Sequence, residues 1–372
     1  MENLKAGIIG MGLIGKQHAE AIARIPGVEL VAITEYNPAA LDAQQRYLGV
    51  NAWPDYRSMI DNEQLDVIHN CTPNAQHYEI NKYAMEKDIH VYSEKPLAIS
   101  VEEGEKLLKL AQSRKLAHGV NFNYRNNAMV QEMRVRMQKE DAGRCLLVHG
   151  HYLQDWLLYD SDNNWRVSTK EGGASRALAD IGSHWFDTIQ FITGRKVVAV
   201  YAQNFIAYPE RKKKEKGQIV SFPVETEDGG IIMFEMEGGL RGSTIVSQVS
   251  AGYKNNIFFS VDCEKYSMRW NQEQSDRLFI GTRDAGITEY YASPDAVSPE
   301  ISRYATLPPG HPVGWADAFT NGIREFYRSL TEKTYLTQAP VYSDFGNAVY
   351  IMKIIDACLQ SNRSGKWEKI NG

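Results

Sequence analysis

Through residue 123 the chain alternates two rhythms. Short apolar runs at 4–9, 29–34, 66–69, 90–92 and 117–122 read as buried parallel strands, and helix-period segments separate them. That alternation predicts a doubly wound sheet. Its clearest helix lies before the last strand: Ser100 and Glu103 form a capping box, Leu107, Leu108, Leu110 and Ala111 supply an apolar face, and Arg114 and Lys115 close the end. After Tyr124 the rhythm changes. One helical segment, AMVQEMRVRMQ, is followed by CLLVHGHYLQDW, VVAVYAQNFI, GGIIMFEME, GSTIVSQVS, NNIFFSVDC and YSMRWN, strand-like stretches divided by glycine and charged turns. Consecutive strands with short turns predict a large, mostly antiparallel open sheet in a separate α+β domain. The expected division is 1–124 and 125–372. The helical segments 315–330 and 345–359 either flank that second sheet or return to the first domain.

The first strand runs into GIIGMGLIG, which carries Gly10, Gly12 and Gly15 in a GxGxxG arrangement and opens the helix-like KQHAEAIARI. Gly10 permits the tight turn, Gly12 lets backbone approach a pyrophosphate, Gly15 lets helix and strand pack, and the helix N-terminus attracts the negative charge. Met11, Leu13 and Ile14 belong to the same loop. Glu35 stands twenty residues after Gly15 at the end of the next strand. Its carboxylate suits the two ribose hydroxyls of NAD and repels the 2′-phosphate of NADP, for which TEYNP offers no arginine. This predicts a Rossmann domain that binds NAD.

Parallel sheets bind ligands beyond the carboxyl ends of their strands, which gathers CTPNAQH, SEKP and NFNYR on one rim. Lys95 is therefore expected to face the cofactor, its backbone narrowed by Pro96. The plainer alternative is a strand-end lysine reaching solvent.

Composition narrows the class. Lys and Arg number 41 against 46 Asp and Glu, a net charge of −5 spread along the chain, which gives no nucleic-acid or anionic-membrane footprint. The basic run RKKKEKG at 211–217, broken by Glu215, reads as a solvated loop. The longest apolar run, 197–202, is far too short for a bilayer, and no signal-peptide layout opens the chain, so a cytoplasmic protein is expected. Cys71, Cys145, Cys263 and Cys358 lack any CxxC pairing and are expected as reduced thiols. His149 and His151, two apart on one strand, have no evident third metal ligand, and no metal is expected.

The second domain contributes SRALADIGSHWFD, in which Asp180 and His184 lie four apart at the expected start of a helix. Oxidising a secondary alcohol removes a hydride and a proton. An alcohol about as acidic as water, near pKa 15.7, faces a histidine near 6.5. Full deprotonation beforehand would cost about 12 kcal/mol, so the base must act while the hydride leaves. His184 suits that task. Lys95 suits stabilising charge on the oxygen, and Asp180 either orients the imidazole or binds a substrate hydroxyl.

GIIGMGLIG, Glu35, CTPNAQH, SEKP, NFNYR and ADIGSHWFD occur in the order and rough spacing of the glucose-fructose oxidoreductase, inositol dehydrogenase and rhizopine-catabolism (Gfo/Idh/MocA) family, which the chain resembles over nearly its full length. The resemblance implies a catalytic Lys95, Asp180 and His184, a cis bond between Lys95 and Pro96, and a homodimer or homotetramer formed through the second sheet. It places Thr72, Pro73, Asn74, His77, Glu94 and Lys95 along the cofactor, with Trp165 and Arg166 near the nicotinamide end. YLQDW, NWR and GHPVGWADAF look similar to members that oxidise sugars or anhydrosugars such as levoglucosan. Asn123, Tyr124, Arg125, Tyr152, Gln154 and Trp156, with Lys95, Asp180 and His184, are the expected substrate contacts, since flat rings cover sugar C–H faces while amides and carboxylates pair the hydroxyls. Core or interface packing is the plainer reading of Trp156 and Trp165.

The expected activity is NAD-dependent oxidation of a secondary hydroxyl on a sugar, anhydrosugar or inositol. Three alternatives stand beside it: a redox-neutral glycosidase using NAD transiently, a keto-sugar reductase, and a non-catalytic NAD sensor, which the intact Lys95, Asp180 and His184 set argues against.

Overall fold

The computed structural model describes residues 3–139, 141–215 and 217–371. Two units emerge from the packing: Met1–Phe122 with Phe319–Val349, and Asn123–Ala318 with Tyr350–Gly372.

The first unit is built on six parallel strands, β1 (Leu4–Ile9), β2 (Val28–Thr34), β3 (Asn51–Trp53), β4 (Val67–Asn70), β5 (His90–Ser93) and β6 (His118–Val120), in the order β3-β2-β1-β4-β5-β6. Five follow from the apolar runs. Strand β3 was not expected: NAW is a three-residue edge strand with no buried position, so it leaves no hydrophobic signature. Central strand β4 is buried at every position, as a strand covered on both faces must be. Helices α1 (Leu13–Ala23), α2 (Pro38–Leu48), α3 (Tyr56–Asn62), α4 (Asn74–Glu86) and α5 (Val101–Ser113) alternate with the strands. Helix α2 buries no residue and depends on its ends, where Asn37 accepts from the amides of Ala39 and Ala40 and Gly49 closes in the left-handed conformation. In α5 Ser100 accepts from the Glu103 amide at 3.3 Å, while Leu107 and Ala111 are buried. From residues 319–349 Phe326 packs on Tyr92, ring centroids 5.1 Å apart.

The second unit carries nine strands in one sheet. These are β7 (Cys145–Leu153), β8 (Val197–Phe205), β11 (Gly229–Met236), β12 (Leu240–Ser247), β13 (Asn256–Cys263), β14 (Ser267–Asn271), β15 (Arg277–Thr282), β16 (Gly286–Tyr291) and β17 (Glu368–Lys369), in the order β16-β15-β14-β13-β7-β12-β11-β8-β17. All neighbours are antiparallel except β7 and β12, which run parallel. The helix Ser183–Thr193 is buried along almost its whole length, and Trp185 within it packs on Phe234 and Phe259 at 5.5 Å each. Each such aromatic ring removed from water contributes about 1.5–3 kcal/mol, which fixes this helix on the sheet. Cys145 and Cys263 face each other across β7 and β13 as free thiols.

The basic run is not a solvated loop. Residues 210–215 form strand β9 (Glu210–Glu215), hairpin-paired with β10 (Gln218–Pro223); Lys216 lies outside the described residues. Arg211 is fully buried, donating to Asp228 at 2.6 Å and to the carbonyls of Leu157, Tyr159 and Asp162. Lys212 and Lys213 pair with Asp160 and Glu215. The run looked solvated because charge alone does not show which arginine is answered by a distant carboxylate. No helix among the described residues is long and apolar enough to cross a membrane.

Candidate active site

In the first unit the loop after β1 is shaped by close backbone approach. Gly10 has φ +90°, and a Cβ there would meet the Cys71 carbonyl oxygen at 2.9 Å. A Cβ on Gly15 would lie 2.0 Å from the Gly10 carbonyl oxygen, whereas one on Gly12 would meet nothing within 4 Å. Helix α1 begins here with no side-chain cap and no acidic residue in its first turn, leaving its N–H groups to an anion. Met11 is buried, Ile14 half-buried and Leu13 79% exposed, so the loop presents an apolar edge beside Gly12. Glu35 closes the other side: its carboxylate accepts from the Met11 amide at 2.9 Å and the Asn37 amide at 3.2 Å. These bonds orient the carboxylate at the carboxyl end of β2.

The rim is held from behind by amides. Asn70 accepts from the Thr72 hydroxyl at 2.7 Å and donates to Asn81 at 2.8 Å. Pro73 precedes α4, whose first residue, Asn74, is buried. His77 sits between the carbonyls of Pro96 (2.7 Å) and Thr72 (2.8 Å); burial and the nearby Lys95 lower its pKa, against those carbonyls and Glu94. The Lys95–Pro96 bond is cis. Glu94 accepts from Asn121 at 2.6 Å, from the Lys95 amide at 3.2 Å and from His18 at 3.2 Å. Burial opposes its ionisation, but His18, Asn121 and the Lys95 charge outweigh that and hold its pKa below the usual carboxylate value. His18, Asn70 and Asn121 were missed in the sequence, because nothing local shows that His18 and Asn121 converge on Glu94 or that Asn70 braces Thr72.

In the second unit Asp180 lies in a π-helical turn, Leu178–Gly182, which passes directly into the helix bearing His184. The two residues were expected on one face of an ordinary helix start; the wider turn changes their angular spacing, a feature frequent at functional sites. Asp180 accepts from the Gln248 amide at 2.9 Å and pairs with Arg166 Nε at 3.2 Å. His184 is buried, edge-on to Tyr124 with centroids 4.9 Å apart and tilted to Tyr152 at 6.5 Å. Beside it runs a closed ring of hydrogen bonds: Tyr124 and Tyr152 hydroxyls at 2.7 Å, Tyr152 donating to Asn255 Oδ1 at 2.6 Å, and Asn255 Nδ2 donating to Tyr124 at 2.9 Å. Gln154 joins at Asn255 Oδ1 (3.1 Å), and Trp156 donates to Gln154 (2.8 Å). Burial raises both phenol pKa values, Tyr152 well above the ordinary one, so both hydroxyls keep their protons. Asn123 is buried, and its Nδ2 has no hydrogen-bond partner among the described residues, an arrangement that favours a ligand acceptor.

Several expected contacts also have protein partners of their own. Arg125 is not available to a substrate: it forms a buried two-point pair with Asp187 and stacks on Phe191 at 4.9 Å. Trp156 packs against the small cluster Leu157, Val167 and Val224. Arg166 lies over the Trp165 ring at 4.3 Å while holding Asp180, and Trp165 lines an open cavity of about 540 Å³ with Phe222 and Lys213. His149 pairs with Asp262 and His151 with Asn256. Asn255 and Gln248 were missed because they come from turns and strand ends far along the chain.

Residues 4–122 match the oxidoreductase family with an NAD-binding Rossmann fold, and residues 130–269 match the GFO/IDH/MocA C-terminal domain. The chain belongs to the Gfo/Idh/MocA oxidoreductase family. A levoglucosan dehydrogenase of Pseudarthrobacter phenanthrenivorans is 28% identical, covering 99% of this chain and 98% of that protein. A glucose-6-phosphate 3-dehydrogenase of Bacillus subtilis is 23% identical over 91% and 92% of the two chains. A solved levoglucosan dehydrogenase in complex with NADH and levoglucosan superposes with a TM-score of 0.89 at 27% identity, covering all of both chains. As a Gfo/Idh/MocA protein the chain is an oxidoreductase, and its cofactor is NAD.

Proposed function

We propose that this enzyme oxidises a secondary hydroxyl of a sugar, an anhydrosugar or an inositol. The observation that carries the reading is the ring of Tyr124, Tyr152 and Asn255 against His184. It presents protonated hydroxyls and amides beside an imidazole, chemistry suited to a polyol. The full-length likeness to a levoglucosan dehydrogenase supports a sugar-class substrate.

Bound NAD supplies the hydride acceptor. The loop at Gly10–Gly15 would hold its pyrophosphate, Glu35 its adenosine ribose, and the rim at Thr72, Pro73, Asn74, His77 and Glu94 its remaining length. His184 takes the hydroxyl proton as the C–H bond breaks, which avoids the alkoxide. The sequence resemblance gives Lys95 the role of stabilising charge that develops on the substrate oxygen. Asp180, pinned by Gln248 and Arg166, orients the imidazole or a neighbouring substrate hydroxyl.

The test mixes purified protein with NAD, and separately NADP, across inositols, aldoses, glucosides and levoglucosan, following reduced-nicotinamide absorbance. Substrate-dependent signal with NAD, lost in Lys95→Ala, is expected. Glycoside cleavage without net reduction would replace the reading with a redox-neutral glycosidase. Turnover only with keto-sugars and NADH would make it a reductase.

A further inference from the structure

Three buried side chains of the first unit that this chemistry leaves unused line up behind Glu94. The Tyr327 hydroxyl is 2.7 Å from His69 Nε2, His69 Nδ1 is 2.7 Å from His18 Nδ1, and His18 Nε2 is 3.2 Å from Glu94 Oε1. Both histidines are fully buried and Tyr327 is 1% exposed. Neither ring can turn freely: Phe319 meets His18 edge-on at 5.0 Å, Tyr92 touches both rings, and His69 stacks on Tyr327 at 5.7 Å.

Proton counting fixes the direction of this chain. A carboxylate only accepts, so His18 Nε2 carries a proton toward Glu94. One proton lies between the two Nδ1 atoms. With His18 neutral its Nδ1 is bare and accepts from His69; the bare His69 Nε2 then accepts from the Tyr327 hydroxyl. Every bond points from Tyr327 to Glu94. A proton added to His18 Nδ1 reverses the two bonds farther from Glu94, His69 taking its Nε2–H tautomer, and leaves the bond to Glu94 as it was. Burial, and then the adjoining His18, keep the His69 pKa well below the ordinary histidine value, so His69 stays neutral in either arrangement.

We propose that Tyr327, His69 and His18 are positioning residues that keep a proton on His18 Nε2 and so hold Glu94 as an oriented carboxylate behind Lys95. The inference rests on the role given to Lys95 above. Glu94 is also faced by Lys95 on its own strand end, by Asn121 after β6, by Cys71 after β4 and by His77 of α4; Asp66 and Tyr92 act on Tyr327. Among the histidines of the described residues, His18 is the one with a hydrogen bond to the carboxylate. Without that donor, burial dominates and Glu94 takes up a proton at higher pH.

The first arm needs no substrate. Nitrogen-labelled histidine in the full-length protein, read by NMR at neutral pH and assigned through His18→Gln and His69→Gln, is expected to show His18 protonated on Nε2 and His69 on Nδ1. The opposite tautomers would overturn the proposal. In the second arm, His18→Leu is expected to lower kcat/KM by about tenfold or more and to raise its acid limb by about one pH unit, while His18→Gln, which keeps a donor near the Nε2 position, stays within about threefold with the limb unmoved. Equal behaviour of the two variants, both folded, would contradict the proposal. Should the wild type turn over no polyol, the functional reading fails by itself, and the tautomers still decide this one.

Discussion

The dinucleotide loop and the tyrosine–histidine cluster build their sites from different materials. At Gly10–Gly15 almost everything is backbone: a left-handed glycine, a carbonyl that a Cβ on Gly15 would strike at 2.0 Å, and a helix start without a side-chain cap. Around His184 almost everything is side chain, with Tyr124, Tyr152, Asn255, Arg166 and Gln248 drawn from separate stretches. A backbone site is written in consecutive residues, whereas a side-chain site depends on sheet register. The first should be broken by adding a single carbon and the second eroded contact by contact.

The largest effect separates two arginines of the second unit. Arg125→Ala removes the guanidinium that pairs in two points with the buried Asp187 carboxylate and should cost about 3–5 kcal/mol, read as a large fall in melting temperature. Arg166 and Asp180 are 29% and 13% exposed, so Arg166→Ala should cost under about 1 kcal/mol while turnover falls. Equal destabilisation would erase the distinction between an architectural pair and a site pair.

Next come the glycines. Gly15→Val should displace the loop and weaken NAD by about a hundredfold, with roughly 1–3 kcal/mol lost from overpacking. Gly12→Ala should leave the melting temperature unchanged and weaken NAD by about tenfold, because its new carbon meets only ligand space. NAD titration with thermal melting of both variants checks this. A smaller change is expected for Tyr152→Phe: the ring of hydroxyls opens and kcat/KM falls about tenfold, with about 1 kcal/mol of stability lost.

The smallest effect per group is set by pH. Burial lowers the pKa of His69, His90 and His118, and Nδ1 of the last two accepts from the amides of Ala117 and Phe345, which a protonated ring cannot do. Between the lowered values and about 6.5 the unfolded chain binds more protons, so this stability is present above about pH 6.5 and is lost on acidification, by up to about 1.36 kcal/mol per unit for each histidine. Hydrogen-exchange protection, corrected for the pH dependence of intrinsic exchange, should fall first within residues 3–122 on going from pH 7.5 to 5.5. A uniform change along the chain would contradict the assignment to these rings.

Legibility followed the same divide. Five of the six strands of the first sheet, the glycine loop and the position of Glu35 were readable because each is local in sequence. The nine-stranded sheet was readable in class, yet its parallel pairing of β7 with β12 was not, since neighbouring strands with short turns suggest only antiparallel order. Asn255 reaches Tyr152 because β13 runs antiparallel to β7, which sets Asn256 opposite Leu153. No spacing in one strand encodes that register. Arg125 misled because a cation beside a rim motif looks available until its carboxylate partner, Asp187, is located on a helix further along the chain. The buried Arg211 misled for the same reason.

The central claim is a division of labour in which Gly10–Gly15 and Glu35 hold NAD while His184 moves the proton. Titrating wild type and His184→Ala with NAD, and measuring turnover of both on the substrate found in the panel, tests it most directly. The account expects NAD affinity within about twofold and turnover reduced by about 10²–10⁴, the range of a general base. Turnover preserved in His184→Ala, or NAD affinity lost with it, would contradict the account.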